Sequence, residues 1–373
     1  MVHIVEDVFG NAVDPFSKKT ESIRRFTLTN DMQMSVQIIT LGATITSLKV
    51  PDASGSIDDV VLGYDDVAGY QTSTNPYFGA TIGRVCNRVG NGRFTLDGHE
   101  INVSKNFNNK HQLHGGFIGF DKAHWEVIGI SDSGVSMRHI SPDGHEGYPG
   151  EVTATVHFTL SEDNCLNLRI EATTTQRTAI NLTNHSYFNL AGHAAGKDAI
   201  YEHSIMIKAD RLTETDADSI PTGQFTAVQG TAYDLRLLGN LGERLQKLLP
   251  TNGFDDNYCA KMQQQPPQNE NKALHFIAYH PGTGRWLEVA SNQPGVQFYT
   301  SNSMPDVTKG QTAIIGKSSA KYSKLGAFCL ETQKYPDAVN HANFPSIILN
   351  PDTVYNHEVI YKFGVCRSGG CSR

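Results

Sequence analysis

The chain carries little charge. Lysine, arginine, aspartate and glutamate make up 18% of its 373 residues, against about 25% in an average soluble protein. The surface is therefore expected to be rich in Asn, Gln, Ser and Thr. With a formal net charge of −7 there is no basic footprint, so neither nucleic acid nor an anionic membrane is expected as a partner. No apolar run approaches the ~20 residues that span a bilayer. The first residues, MVHIVEDVFG, lack a basic region followed by an apolar run, so no signal peptide is expected. Cysteine is sparse too. The six, at positions 86, 165, 259, 329, 366 and 371, form no CxxC pair, and a chain this long needs no disulfide framework. They read as reduced thiols of a cytoplasmic protein. Cys366 and Cys371 could pair on oxidation, but they sit in a Gly/Ser-containing tail that reads as frayed.

Other absences narrow the chemistry. The glycines have neither GxGxxG nor Walker spacing, which disfavours nucleotides. No GxSxG nucleophile elbow is present. No internal repeat and no break in composition divides the chain, so residues 1–373 are expected to form one domain. Helical signal is scarce. Its best instance is 241–249, where Leu241, Leu245, Leu248 and Leu249 share a face, Asn240 and Glu243 resemble a capping box, and Pro250 closes the segment.

What the chain has in abundance is alternation. Val152, Ala154, Val156, Phe158 and Leu160 alternate with Thr153, Thr155, His157 and Thr159. Leu166, Leu168, Ile170 and Ala172 alternate with Asn167, Arg169 and Glu171. A period of two marks half-buried strands, here antiparallel neighbours joined across 161–164. Further strands are expected at 24–29, 34–40, 44–49, 125–130, 134–139, 178–183, 203–208, 274–279, 285–290, 295–300, 326–331 and 356–363. Many strands and few helices predict an all-β, antiparallel sandwich. The run 263–271, rich in Gln, Pro and Asn, reads as a solvated loop.

Five polar patches could carry chemistry. Asn181 to Leu190 is dense in amides and hydroxyls around a single imidazole, His185, with Tyr187 beside it; this His suits donating a proton to a neutral, hydroxyl-rich ligand, or is a satisfied structural histidine. Gly83 to Gly90 places Asn87, Arg84 and Arg88 among glycines, as a surface turn or an anion or sugar contact. His111 and His114 precede Gly115-Gly116. Two histidines three apart suggest a metal, but no cysteine or carboxylate stands at ligand spacing and the glycines imply a turn. A turn presenting His114 to a cleft is the better reading. Asn252 to Tyr258 sets Asp255 beside aromatics, a common arrangement in sugar sites and in plain turns. Gly326 to Gln333 ends an apolar run on Glu331. Partial desolvation there would raise its pKa and make it a better base near neutrality, while a Glu facing solvent at a strand end is an equal reading. His185, among neutral groups, is expected to stay near ~6.5.

Taken together the patches resemble the aldose 1-epimerase (galactose mutarotase) family from about residue 20 to 363. The matching stretches include Asp59–Tyr64, Tyr77–Ala80, Gly83–Arg88, Leu113–Gly116, Gly119–Lys122, Glu146–Gly150, Asn181–Gly192, Gly253–Asp255, Gly295–Thr300 and Cys329–Gln333. The resemblance implies a large antiparallel β-supersandwich with few short helices. It implies interconversion of the α and β anomers of hexoses such as galactose and glucose, at the start of galactose utilisation, with no cofactor and no metal. Matched by position, Glu331 would be the general base and His185 the general acid. Asn87, Arg88, His114, Asp255 and Gln297 would hold the sugar, and Tyr187 would line the pocket. A monomer is expected. The chain departs from the family pattern at Tyr335, where a Trp is often found, in the 260–272 loop and in the 364–373 tail. The alternatives are a non-catalytic carbohydrate-binding protein and a hexose 6-phosphate epimerase, which would need basic residues beyond Arg84 and Arg88. A glycosidase would need two carboxylates flanking the bond.

Overall fold

Alternating Val and Thr residues form strands because branched side chains suit a pleated surface with one face buried. The computed structural model, which describes residues 1–248, 253–260, 273–367 and 370–371, has this pattern at its centre. Val152–Leu160 pairs antiparallel with Cys165–Thr174, from Val152 opposite Thr174 to Leu160 opposite Leu166. The main path of this ten-stranded sheet runs from Glu126–Ile130 through Gly134–Ser141, these two strands, Tyr355–Arg367, Arg285–Ser291, Ala273–Tyr279 and Ser204–Ile207 to Gly239–Asn240. A second sheet orders six strands: Tyr187–Phe188, Phe328–Gln333, Gly295–Tyr299, Asp255–Ala260, Ala209–Thr215 and Pro221–Ala227. A third joins five consecutive strands from His3–Val13 to Ile57–Asp59. The pairings within these sheets are antiparallel. No helix among the described residues is long and apolar enough to cross a membrane.

The two larger sheets meet through rings. Phe188 of the six-stranded sheet lies 5.6 Å from Tyr361 of the ten-stranded sheet, and Phe298 and Phe328 lie 5.7 and 6.0 Å from Phe276. Burying such rings is worth roughly 1.5–3 kcal/mol each, so this seam anchors the sandwich. It also decides which way Phe328–Gln333 faces. Phe328 and Leu330 belong to the core. By the two-residue period, Cys329, Glu331 and Gln333 then project from the opposite face of the sheet.

Several expectations changed on folding. The strand expected at 178–183 breaks in two. Thr178–Ala179 pairs with Ile348–Leu349, and Thr183–Asn184 pairs with Thr81–Ile82. Between them the backbone of Asn181 is engaged by Arg84 and Cys86, so the segment changes partners and never forms one ladder. The opening strand His3–Val13 was not foreseen because most of its residues are exposed on both faces. It is held by pairing with Thr20–Thr29 and by Arg24–Glu6 and Arg25–Asp7 ion pairs. The tail is not frayed through Arg367. The last long strand continues that far, and Gly370–Cys371 returns with Cys371 opposite Cys366. Cys86, Cys165, Cys259 and Cys329 are free thiols, as expected, but Cys366 is disulfide-bonded. The helix Leu241–Leu248 forms, with the Asn240 side chain accepting from the Glu243 N–H at 2.9 Å. Leu249, Pro250, Asn252 and the 263–271 run lie outside the described residues. Tyr335 packs against Phe225 and Phe344.

One side chain ties the His185 segment to the end of the Glu331 strand. Asn181 donates to the Lys334 carbonyl at 3.0 Å and accepts from the Lys334 N–H at 3.1 Å. Replacing Asn181 by Ala leaves both backbone groups without these partners. Asn181→Ala is expected to destabilise the protein by about 2–4 kcal/mol, read as a lower urea midpoint at unchanged m-value.

Candidate active site

The outward face of the six-stranded sheet carries two rows of side chains set by strand register. In one row Tyr187 stands opposite Cys329, Cys329 opposite Tyr299, and Tyr299 opposite Asp255. In the next row, two residues along, Glu331 stands opposite Gln297 and Gln297 opposite Asn257. Three loops close over these rows. The His185 backbone is clasped on both sides, its N–H donating to the Ala80 carbonyl and its C=O accepting from the Gly79 N–H. The 83–88 and 111–116 turns are joined by reciprocal bonds: the His114 N–H donates to the Asn87 carbonyl at 2.9 Å, and the Asn87 N–H donates to His114 Nδ1 at 3.2 Å. Gly115 is needed there because a Cβ would come within 1.9 Å of the Gly83 carbonyl oxygen. Tyr77, Asn87 and His114 all hold positive φ, between 51° and 65°. Such non-glycine conformations are uncommon and gather at functional sites.

The result is a cavity of about 130 Å³ with Asn87, Arg88, His114, His185, Asp255 and Glu331 in its wall. Tyr187 lines it as well, and so do Tyr77, Tyr299 and Ser303, which sequence reading had given no part in the site. Tyr77 and Tyr299 lay in blocks already singled out, but which face they present is a property of the turn and the register. Gln297 stands one layer back: it donates to Asp255 at 2.7 Å and does not line the cavity. Arg88 donates to the other Asp255 oxygen at 3.2 Å. Asp255 is thus held from both sides while remaining part of the wall.

At the floor, His185 Nε2 is 3.6 Å from Glu331 Oε1, with both side chains buried. Among the described residues, neither His185 Nδ1 nor Glu331 Oε2 has a hydrogen-bond partner, and the same holds for Arg88 Nε. Burial pushes Glu331 well above the usual carboxylate range, reinforced by Asp255 and opposed by Arg88. The rise matches the expectation for a desolvated glutamate. His185 does not stay near 6.5. Burial pushes it down to about 4, because it sits beside nearly parallel Tyr187 and Tyr77 rings at 5.0 and 5.9 Å. Neighbouring amides were visible in the sequence, whereas these rings in contact were not. The floor therefore offers a carboxyl that holds its proton unusually well beside a neutral imidazole.

His114, His185 and Glu331 bring candidate metal-ligand atoms within 4.8 Å of one another. The bonding of His114 fits a cation poorly. A ligating imidazole donates its second N–H to a neighbour, whereas His114 Nδ1 accepts one from Asn87. The ring hydrogen therefore sits on Nε2, leaving a donor where a ligand lone pair would be required. Burial holds His114 well below its ordinary pKa, helped by the charges of Arg88 and Lys122. His111 takes no part in the cavity. Its Nδ1 accepts from the Asn91 N–H at 2.9 Å and its Nε2 faces Asp218. Arg84 is also elsewhere, buried and spent on Ser141 and on the carbonyls of Pro142, Pro149 and Gly150.

Comparison with known proteins matches residues 24–362 to the family model described as Aldose 1-epimerase. Galactose mutarotase of Bos taurus is 45% identical over 366 residues, covering 98% of this chain and all of that protein. Aldose 1-epimerase of Escherichia coli K12 is 30% identical, covering 91% of this chain and 95% of that one. Among solved structures, an aldose epimerase homologue from C. elegans superposes with a TM-score of 0.81 at 26% identity, covering 90% of this chain and 97% of that one.

The His114 tautomer can be read directly. Nitrogen-15 NMR of the free protein is expected to show His114 as neutral with its hydrogen on Nε2 at pH 7. A signal for Nδ1–H would contradict the bond to Asn87.

Proposed function

The chain belongs to the aldose 1-epimerase family, and we propose that it performs the family's reaction with Glu331 as general base and His185 as general acid. The reaction interconverts the α and β anomers of an aldose. Ring opening needs loss of the O1 proton and protonation of the ring oxygen. Rotation about C1–C2 presents the other carbonyl face, and closure reverses both transfers. Glu331 takes the O1 proton and later returns it, while His185 protonates the ring oxygen and later takes that proton back. Each group works in both directions, so neither can bind its proton too tightly or too weakly. The observation that carries this reading is the buried His185–Glu331 pair, 3.6 Å apart at the floor of the cavity.

The proton inventory adds a condition. In the unliganded protein the proton of the pair favours Glu331, the reverse of the distribution the opening step uses. The two groups are close enough to titrate as one unit, and the apparent pKa values belong to the pair. Catalysis runs while the pair holds one proton, and bound sugar hydroxyls redistribute it. Arg88, Asp255, Asn87 and His114 orient the ring by hydrogen bonds, His114 as a donor through Nε2. Gln297 acts through Asp255. Positioning of this kind, with two proton-transfer groups, is sufficient for a reaction that already proceeds in water.

Free neutral aldohexoses, galactose and glucose among them, suit this wall better than a phosphorylated sugar. Arg84 is consumed by backbone carbonyls, and Arg88 is paired with Asp255. Since every group assigned a role comes from one chain, a monomer is sufficient for the activity. Cys86, Cys165, Cys259 and Cys329, all free thiols, are in keeping with the cytoplasm, whereas the disulfide at Cys366 is of the kind an oxidising compartment favours.

Glu331→Gln and His185→Asn are each expected to lose roughly 10²–10⁴ in kcat with sugar affinity largely kept. The double variant should be little worse than the poorer single one, because the pair acts as a unit. Polarimetry on freshly dissolved α-galactose reads the rate. A Glu331→Gln variant retaining more than about a tenth of wild-type kcat would remove Glu331 from the role and leave Asp255 as the leading base.

The pH profile of kcat should be bell-shaped. On the acid side the rate falls as the pair takes up a second proton, at an apparent midpoint near the His185 value of about 4. On the alkaline side it falls once Glu331 loses its proton. A flat profile from pH 3 to 10 would contradict a proton-sharing pair.

A further inference from the structure

Outside the groups already given roles, the cavity has one half-exposed wall residue that contacts both of its histidines. The Tyr77 ring lies nearly parallel to His185, 23° off at 5.9 Å, and meets His114 edge-on at 4.7 Å. On its other contacts, the Lys122 ammonium stands 5.9 Å from its centroid. Of the two tyrosines parallel to His185, Tyr187 is buried in the sheet and only Tyr77 reaches the surface. Its backbone is tied to that of His185. The Ala80 N–H donates to the Tyr77 carbonyl, the next turn atoms clasp His185 at Gly79 and Ala80, and Asn184 donates to the Gly79 carbonyl. Tyr77 itself holds φ +65°, a conformation rarely adopted by a bulky side chain.

We propose that Tyr77 is a positioning residue for the acid–base pair, its ring covering His185 against bulk water and fixing the angle between the two imidazoles. The proposal rests on the reading of His185 as the acid, and it extends that reading to a residue that acts through its ring face and not by proton transfer. An imidazole kept dry resists a second proton, so the pair stays in its one-proton form at lower pH. The other groups facing His185 are Glu331 at 3.6 Å, Asp255, His114 edge-on at 5.1 Å, and the Tyr187 and Tyr299 rings. These remain when the cover is removed, so a change on removing Tyr77 reports the cover itself.

The test compares Tyr77→Asn with Tyr77→Phe. Asparagine accepts a left-handed backbone and replaces the ring by a hydrated group. Tyr77→Gly, also at ease there, takes its place should the Asn protein not fold. In the sugar-free Asn variant the His185 ring, followed by NMR, is expected to titrate about one pH unit or more above its wild-type midpoint, toward the ordinary ~6.5. The acid limb of the kcat profile should move up with it. Tyr77→Phe should keep both within about twofold in rate, since dispersion and exclusion of water come from the ring face. An unmoved His185 titration in the Asn or Gly variant overturns the proposal, whatever happens to the rate. A Phe variant as impaired as Asn overturns it as well, because the hydroxyl would then be the working group. Because the titration is read without substrate, it separates failure of the cover from failure of His185 as the acid, which His185→Asn tests.

Discussion

A carboxyl group buried without a permanent cation governs the whole arrangement. Glu331 has one basic group within 4.0 Å among the described residues, an imidazole that its own burial keeps uncharged. Removing an ionised carboxylate from water is costly, and the group responds by holding its proton. For a structural residue this would be a liability. For a group that must accept and return a proton within one turnover, a raised affinity is the useful property. Arg88, whose charge acts on Glu331, is turned toward Asp255, which keeps it from locking Glu331 in its charged form.

The surroundings explain why so little formal charge suffices. Much of the polar scaffold is neutral. Asn184 accepts from Ser186 and donates to Gly79. Thr183 donates to the Thr332 carbonyl, and the Thr332 hydroxyl meets His357, which in turn bonds the Leu182 carbonyl. Neutral amides and hydroxyls can satisfy buried backbone groups without the desolvation penalty of ions. They join the segment bearing His185 to the strand bearing Glu331 at several points. The 3.6 Å spacing of the pair is therefore held by the sheet and its clasps, with no ion pair required to set it.

Much of the fold was legible in local pattern. The 152–160 and 165–174 hairpin was visible because each strand buries one face, and burial of one face writes a period of two into the sequence. His3–Val13 was not visible because most of its residues stay exposed, with Ala12 the one buried residue of the strand, so burial wrote no clear period into it. The 178–183 segment misled for the opposite reason. It is buried on all sides, and apolar character at such a place does not distinguish one ladder from backbone that changes partners midway. Glu331 stood out as a carboxylate ending an apolar run, a place that could equally have faced solvent, and its raised proton affinity follows from the burial that packing imposes on it. The pKa of His185 was not legible either, since it depends on rings at 77 and 187 that approach it only in space.

The sequence by itself determined the chemical inventory. It supplied one imidazole amid amides, one glutamate at the end of a buried strand, and a nearby Arg, Asn, His and Asp in family-like blocks. It also determined the antiparallel, strand-rich architecture, because alternation and turn residues are local properties. Tertiary structure alone decided how those groups divide their work. Register put Glu331 opposite Gln297 and placed Gln297 behind Asp255. A backbone N–H from another turn chose the tautomer of His114. Core packing of Phe328 and Leu330 turned Glu331 toward the cavity, and the turn carrying Tyr77 closed one side of it. These outcomes depend on distances between residues far apart in the chain, and such distances are set only when the sheets pack.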